Sequence, residues 1–152
     1  MVHAAVAEAE PGEVLVLTMP EPRPVALVGE LLATQAQVAG LAALLVDAAV
    51  RDVEELRDVG VPIWTRYVRV SGAEKRAPGA IGELVVVGGA RIRQGDVVVL
   101  DADGAVIVER ERVDQVLEAA LAREEREREK RARLQAGALS YDLDGLRSLV
   151  ER

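Results

Sequence analysis

Three observations in this 152-residue chain predict an α/β fold. Apolar runs with the character of buried strands, EVLVLT and LAALLV, alternate with segments of helical spacing in the first half. Short Val-rich runs separated by Gly, Gln-Gly and Asp-Gly turns fill residues 83–108. A long helical segment then carries the charge run REEREREKRAR. Together they predict mixed β-sheets with flanking helices and a long charged C-terminal helix. We read residues 1–152 as one domain, with 110–152 as a helical extension.

The elements follow in order. Residues 2–9 read as a short helix closed by Pro-Gly-Glu, and residues 13–18 as a buried strand. MPEPRP is a loop, because its three prolines break regular structure. Residues 25–39 have helical spacing, with Gly40 as the stop signal. Residues 41–46 read as a second buried strand ending at Asp47, and residues 52–60 as a short helix ending at a glycine. Residues 61–70 are extended, and SGAEKRAPGAIG forms a loop of twelve residues, long enough to suggest function. The last helix spans about residues 110–135. Its first half carries an apolar stripe of Val113, Val116, Leu117, Ala120 and Leu121. Its second half offers Glu-to-Arg pairs four apart, such as Glu124–Arg128, Glu127–Arg131 and Glu129–Arg133. DLDGLRSLVER makes an amphipathic tail.

Composition narrows the chemistry. Without Phe, and with one Trp and two Tyr, the core must be built from Val, Leu, Ile and Ala. A net charge of −7 argues against a broad nucleic-acid footprint. The absence of cysteine excludes disulfides, thiolate catalysis and Cys-type zinc sites. No apolar run approaches a membrane span and no leader pattern opens the chain, so a soluble, cytoplasmic protein is expected. His3 is the single histidine, and Ser71, Ser140 and Ser148 lie in no nucleophile-elbow pattern. Lys75 and Lys130 are the only lysines, and neither sits in an apolar context that would favour a Schiff base. Carboxylates and arginines remain.

The pair Arg51–Asp52 follows the end of an apolar strand, where ligands gather in α/β sheets. Asp52 with Glu55 fits a capping-box-like pattern that starts a helix, and Arg51 would then be a solvated cation. The functional alternative gives Arg51 a carboxylate to grip with its planar fork, and Asp52 a hard cation to hold. Gly29, Glu30, Leu31 and Leu32 begin a helical pattern, so Gly29, Leu31 and Leu32 could offer N–H groups to an anion. Glu30 reads equally as a solvated first-turn acid favoured by the helix dipole. Asp101 and Asp103 read as a hairpin turn.

Glu30 is separated from Arg51 by twenty residues, and Asp52 follows directly. This acid-x20-Arg-Asp pattern resembles the Asp-x20-Arg-Asp signature of the class II pyruvate aldolases. These act on 4-hydroxy-4-methyl-2-oxoglutarate and 4-carboxy-4-hydroxy-2-oxoadipate, and their fold includes the regulator of ribonuclease activity A. Further segments similar to the family occur in family order: AVAEAEPGEVLVL, GELLATQAQ, VDAAVRDVEELRDVGVPIW, GGARIRQGDVVVLDADGAVIV and EKRARLQAGALSYDLDGLR. The resemblance implies a swivelling β/β/α-like domain and a divalent cation, Mg²⁺ or Mn²⁺. Asp52 would be its direct ligand and Glu30 would hold it through water. Arg51 would bind the pyruvyl group and stabilise its enolate, and the amides of Gly29, Leu31 and Leu32 would line the oxoacid pocket. Glu127 from a neighbouring subunit's C-terminal helix would complete the site, with Glu124, Glu125 and Glu129 as competing choices. The expected activity is cleavage of 4-hydroxy-2-oxoacids to pyruvate, with oxaloacetate decarboxylation on the side, in a homotrimer or hexamer without nucleic-acid or membrane partners. The chain departs from the pattern in its short segment before Gly29, in LTMPEPRPV, in Asp47-Ala48 where the family has Asp-Gly, and in WTRYVRV. These departures keep two other expectations in play: a non-catalytic protein-binding module like the ribonuclease regulator, and a degenerate subunit of an oligomer.

Overall fold

The computed structural model describes residues 1–74 and 79–150. Lys75 and the centre of the SGAEKRAPGAIG loop lie outside the described residues. The chain divides into two compact units, Met1–Glu109 and Arg110–Arg152.

The first unit runs α1 (Val2–Glu8), β1 (Val14–Leu17), β2 (Ala26–Val28), α2 (Glu30–Val38), β3 (Ala43–Val50), α3 (Val53–Val59) and β4 (Ile63–Val68). Four short strands follow: β5 (Val85–Val87), β6 (Ala90–Ile92), β7 (Val97–Leu100) and β8 (Ala105–Val108). Strand β3 is the spine, because all eight of its residues are buried. That burial suits a parallel strand covered on both faces, where the sequence loses its alternation. β4 pairs in parallel along one edge of β3, from Leu44 opposite Ile63 to Val50 opposite Val68. A strand has two edges, so β1 and β2 share the other one end to end. β1 pairs with residues 43–46, and β2 places Ala26 opposite Ala49 and Val28 opposite Val50.

The helices cover this sheet with small residues. α2 buries Leu32, Ala33 and Ala36, at the one- and four-residue spacing of a helix face. α1 contributes Val6 and α3 contributes Leu56 to the same core, around the fully buried Leu44 and Val46. β5 pairs antiparallel with β6, and β7 with β8. At the β7–β8 turn, Asp101 Oδ1 accepts the N–H groups of Asp103 and Gly104, so the expected Asp-Gly hairpin forms.

Two boundaries differ from the sequence reading. The helix expected over 25–39 starts only at Glu30, because Ala26–Val28 is a strand that completes the edge of β3. Tertiary pairing overrides a helical apolar spacing there. The strand expected over residues 41–46 instead continues through Asp47 to Val50. Asp47 is only 4% exposed, and it is tolerated inside the sheet because Arg66 Nε on β4 donates to its Oδ1 at 2.5 Å. This bond, and then the carboxylate charge, hold the Arg66 guanidinium above the usual arginine range.

The second unit opens with a 3-10 turn at Arg110–Arg112 and continues as α4 (Val113–Gln135), α5 (Ser140–Leu143) and α6 (Arg147–Val150). The ion pairs formed on α4 are Arg123–Glu127 and Glu125–Arg128, not the Glu-to-Arg pairs read from the sequence. Glu127 lies four residues from both Arg123 and Arg131, and Arg128 lies four from Glu124 and three from Glu125, so spacing alone does not select the partner. Of the stripe on α4, Leu117 and Leu121 are exposed. Lys130 pairs with Asp144, and Arg147 pairs with Asp142 while lying over the Tyr141 ring. Among the described residues, no helix is long and apolar enough to cross a membrane.

Candidate active site

The extension of β3 to Val50 fixes where Arg51 and Asp52 stand. Arg51 N–H donates to the Val28 carbonyl at 3.0 Å, and Arg69 N–H donates to that of Val50 at the same distance. The chain is thus held between β2 and β4 up to the residue at which the side chains turn outward. Asp52 then takes φ 59° and ψ 46°, the only positive φ of a non-glycine residue among the described ones.

Asp52 precedes α3 and accepts its first helical bond, from Leu56 N–H to the Asp52 carbonyl at 2.9 Å. Its carboxylate makes no cap on α3, so the capping box with Glu55 is not formed. The left-handed turn sends that carboxylate to the start of α2, where Oδ2 accepts the Glu30 backbone N–H at 3.2 Å. Arg51 Nε lies 3.4 Å from the same oxygen. The Asp52 side chain therefore meets the backbone at Glu30, which the twenty-residue spacing allows because α2 and β3 return the chain to the same end of the sheet.

At this end α2 offers amides. Helix geometry leaves the first N–H groups without intrahelical acceptors. Gly29 supplies no side chain to cap them, and the first internal bond runs from Ala33 N–H to the Gly29 carbonyl. Asp52 takes the Glu30 amide, so the Leu31 and Leu32 amides are left facing outward from the helix end. Gly29 itself is extended at φ −139°, a conformation open to any residue. Space favours glycine: a Cβ there would fall 2.5 Å from Asp52 Oδ2 and 2.8 Å from Arg51 Nε, so both side chains would have to shift.

The Glu30 carboxylate shares this cleft but does not touch Arg51 or Asp52. Thr34, one turn along α2, donates its hydroxyl to Glu30 Oε1 at 3.1 Å. The Thr34 contact was not read from the sequence, although its four-residue spacing from Glu30 was the available signal. Gly29, Glu30, Leu31, Leu32, Arg51 and Asp52 all line one open cleft of about 1630 Å³ in the first unit. Arg51 and Asp52 are 48% and 41% exposed at their side chains, so solvent and a small anion reach both.

Chemically this is a cationic fork, two carboxylates and two helix amides without acceptors among the described residues, around one opening. Among the described residues, no three His, Asp or Glu side chains gather into a cage. A cation here would rest on one or two carboxylates and water, the donor set that Mg²⁺ accepts. Asp52 has Oδ1 free of partners among the described residues, so the donors present fit such an ion. Glu127 belongs to the second unit, where Arg123 Nε donates to its Oε1 at 2.7 Å. That bond and charge hold the Glu127 carboxyl below its usual range. Glu125 is similarly engaged with Arg128.

Comparison with known proteins places this geometry in a family. The family model described as RraA-like, Aldolase/RraA, matches residues 1–107. A protein of Halalkalibacterium halodurans, named provisionally as a 4-hydroxy-4-methyl-2-oxoglutarate aldolase, is 30% identical over 148 residues, covering 97% of this chain and 68% of its own. A Burkholderia mallei protein of the same provisional name is 33% identical over 107 residues, covering 70% of this chain and 65% of its own. The solved structure of Streptomyces coelicolor RraAS2, described as an unusual member of the RNase ES inhibitor RraA protein family, is 32% identical. It superposes with a TM-score of 0.79 over 86% of this chain and 67% of that one. The chain spans from 52% to 68% of the length of the curated relatives it matches. With the model match over most of its length and the sheet architecture shared, this chain belongs to the RraA-like family.

Proposed function

We propose that this protein is a divalent-metal-dependent carbon–carbon lyase that cleaves 4-hydroxy-2-oxoacids to pyruvate and decarboxylates oxaloacetate as a side activity. The observation that carries the proposal is the convergence of Arg51, Asp52 and the start of α2 on one solvent-open cleft. Breaking the C3–C4 bond of a 4-hydroxy-2-oxoacid leaves its electron pair on C3 as the pyruvate enolate, while the C4 hydroxyl gives its proton to water in the open cleft and becomes a carbonyl. Protonation at C3 then gives pyruvate. Mg²⁺ or Mn²⁺, held by Asp52 and through water by Glu30, would supply Lewis-acid stabilisation of the developing negative charge. The Arg51 fork binds the substrate carboxylate and adds fixed positive charge beside the enolate. The Leu31 and Leu32 amides, and that of Gly29, offer preorganised donors to the same oxoacid. Assembly into a homotrimer or hexamer would bring Glu127 of a neighbouring subunit to the site.

The test supplies oxaloacetate with Mg²⁺ and follows pyruvate. Chelator-sensitive release is expected, and Arg51→Ala should lower it by about 10²-fold or more, the scale of removing one preorganised donor. Pyruvate release no faster than the metal-catalysed background would overturn the proposal. The likeness to RraAS2 favours a second reading, a non-catalytic protein-binding module. Under that reading Arg51→Ala leaves partner capture unchanged and no metal dependence is seen.

A further inference from the structure

Among the described residues, the Arg51 guanidinium is held by space rather than by hydrogen bonds. Its one polar contact among the described residues is the 3.4 Å approach of Nε to Asp52 Oδ2. On one side lies Gly29. On the other lies Gly72, where a Cβ would stand 3.0 Å from Arg51 Nη1 and 3.9 Å from Cζ. Gly72 does not have a positive φ, so glycine is not needed there for the backbone. The segment around it is also fixed. Ala26 N–H donates to the Ser71 carbonyl at 2.7 Å, Ala73 N–H donates to the Ala26 carbonyl at 3.0 Å, and Gly72 bridges Ala26 in parallel. The start of the loop after β4 is thereby laid against β2, and its glycine faces the outer nitrogen of the fork.

We propose that Gly72 is a positioning residue for oxoacid binding: its missing side chain sets how far the Arg51 fork reaches over the cleft. The inference rests on the lyase reading, in which Nη1 is one of the two nitrogens that grip the substrate carboxylate. A methyl at position 72 pushes Nη1 by a few tenths of an ångström and tilts a bidentate pair that depends on both nitrogens lying in the carboxylate plane. Gly29 lies against the inner end of the same side chain, whose Nε stands 3.4 Å from Asp52 Oδ2. Asp52 and Glu30 are not touched by position 72, so cation binding is left alone.

The experiment compares wild type, Gly72→Ala, Arg51→Lys and the double variant. Readouts are KM and kcat for oxaloacetate with Mg²⁺, inhibition by oxalate, and Mn²⁺ affinity by paramagnetic resonance. The Arg51 Nε–H resonance, assigned by its loss in Arg51→Lys, reports side-chain geometry independently of turnover. Gly72→Ala is expected to shift that resonance, to raise KM and the oxalate inhibition constant about tenfold, and to leave Mn²⁺ affinity and thermal stability as in wild type. In the Arg51→Lys background, which lacks Nη1, the same change should have no further effect. A Gly72→Ala protein with wild-type KM, oxalate inhibition and Nε–H resonance overturns this inference while leaving the lyase reading intact. Equal effects of Gly72→Ala in the wild-type and Arg51→Lys backgrounds overturn it too, because they mark a general loop defect. A wild-type protein that neither releases pyruvate nor is bound by oxalate overturns both.

Discussion

Asp52 carries the strain that aims the site, and replacing it separates strain from chemistry. An L-residue in the left-handed helical region costs about 1–2 kcal/mol that glycine does not bear. Asp52 stands there at φ 59°. Glycine is disfavoured through its looser unfolded chain by about 0.4–1 kcal/mol relative to alanine. Asp52→Gly and Asp52→Ala both lose the acceptor that binds Glu30 N–H at 3.2 Å, so that loss cancels between them. The glycine variant should therefore be as stable as the alanine variant or more so, by up to about 1.6 kcal/mol, a Tm difference of up to roughly 6 °C for a chain of this size. Urea unfolding followed by circular dichroism, fitted with a common slope, measures the difference. Both variants should lose chelator-sensitive pyruvate release equally. An alanine variant more stable than the glycine one by about 0.4–1 kcal/mol, the difference expected without a left-handed backbone, would refute the turn, and with it the route by which the carboxylate leaves α3 for α2. Metal-dependent turnover in either variant would remove Asp52 from the metal.

Three further outcomes are expected. Thr34→Val removes the hydroxyl that holds Glu30 Oε1, so pyruvate release should fall while the melting temperature changes little; release equal to wild type sinks the positioning of Glu30. Leu44→Ala, at a fully buried site in the central strand, should cost about 2–5 kcal/mol in denaturant unfolding; a cost below about 1 kcal/mol contradicts the packing. Arg123 and Arg147 hold the Glu127 and Asp142 carboxyls below their usual range. A depressed folded-state pKa contributes stability above the unfolded value and loses it as pH falls through the folded one, so helicity of the C-terminal unit should decline from about pH 4.3 downward, and less so in high salt. A flat circular-dichroism signal at 222 nm between pH 6 and 3 would show these pairs to be without effect.

The sequence was most legible where periodicity and turn chemistry agree. Gly40 and Gly60 stop their helices, and the Asp101–Gly104 turn closes its hairpin. It was least legible where one element decides another. Ala26–Val28 looks helical until β3 offers it an edge, and Asp47 looks like a terminus until Arg66, nineteen residues on, answers its charge. Glu30, Arg51 and Asp52 were visible as a spaced pattern, and the structure brings Arg51 and Asp52 to the α2 end that Glu30 opens. What no pattern carried was the direction of the Asp52 carboxylate. Asp followed by Glu three residues later is a helix start in either conformation, and only the left-handed backbone turns it across to another helix.

Arg51 and Asp52 also grow directly out of the eight-residue strand that is enclosed on every side. Amide protons in such a strand exchange with solvent only through the rarest, most global openings. The residues it delivers to the cleft thus inherit the lifetime of the native state itself. Under the proposed lyase reading, activity and folded structure should disappear together on heating, with no temperature at which the strand is intact but Arg51 and Asp52 have already frayed from it.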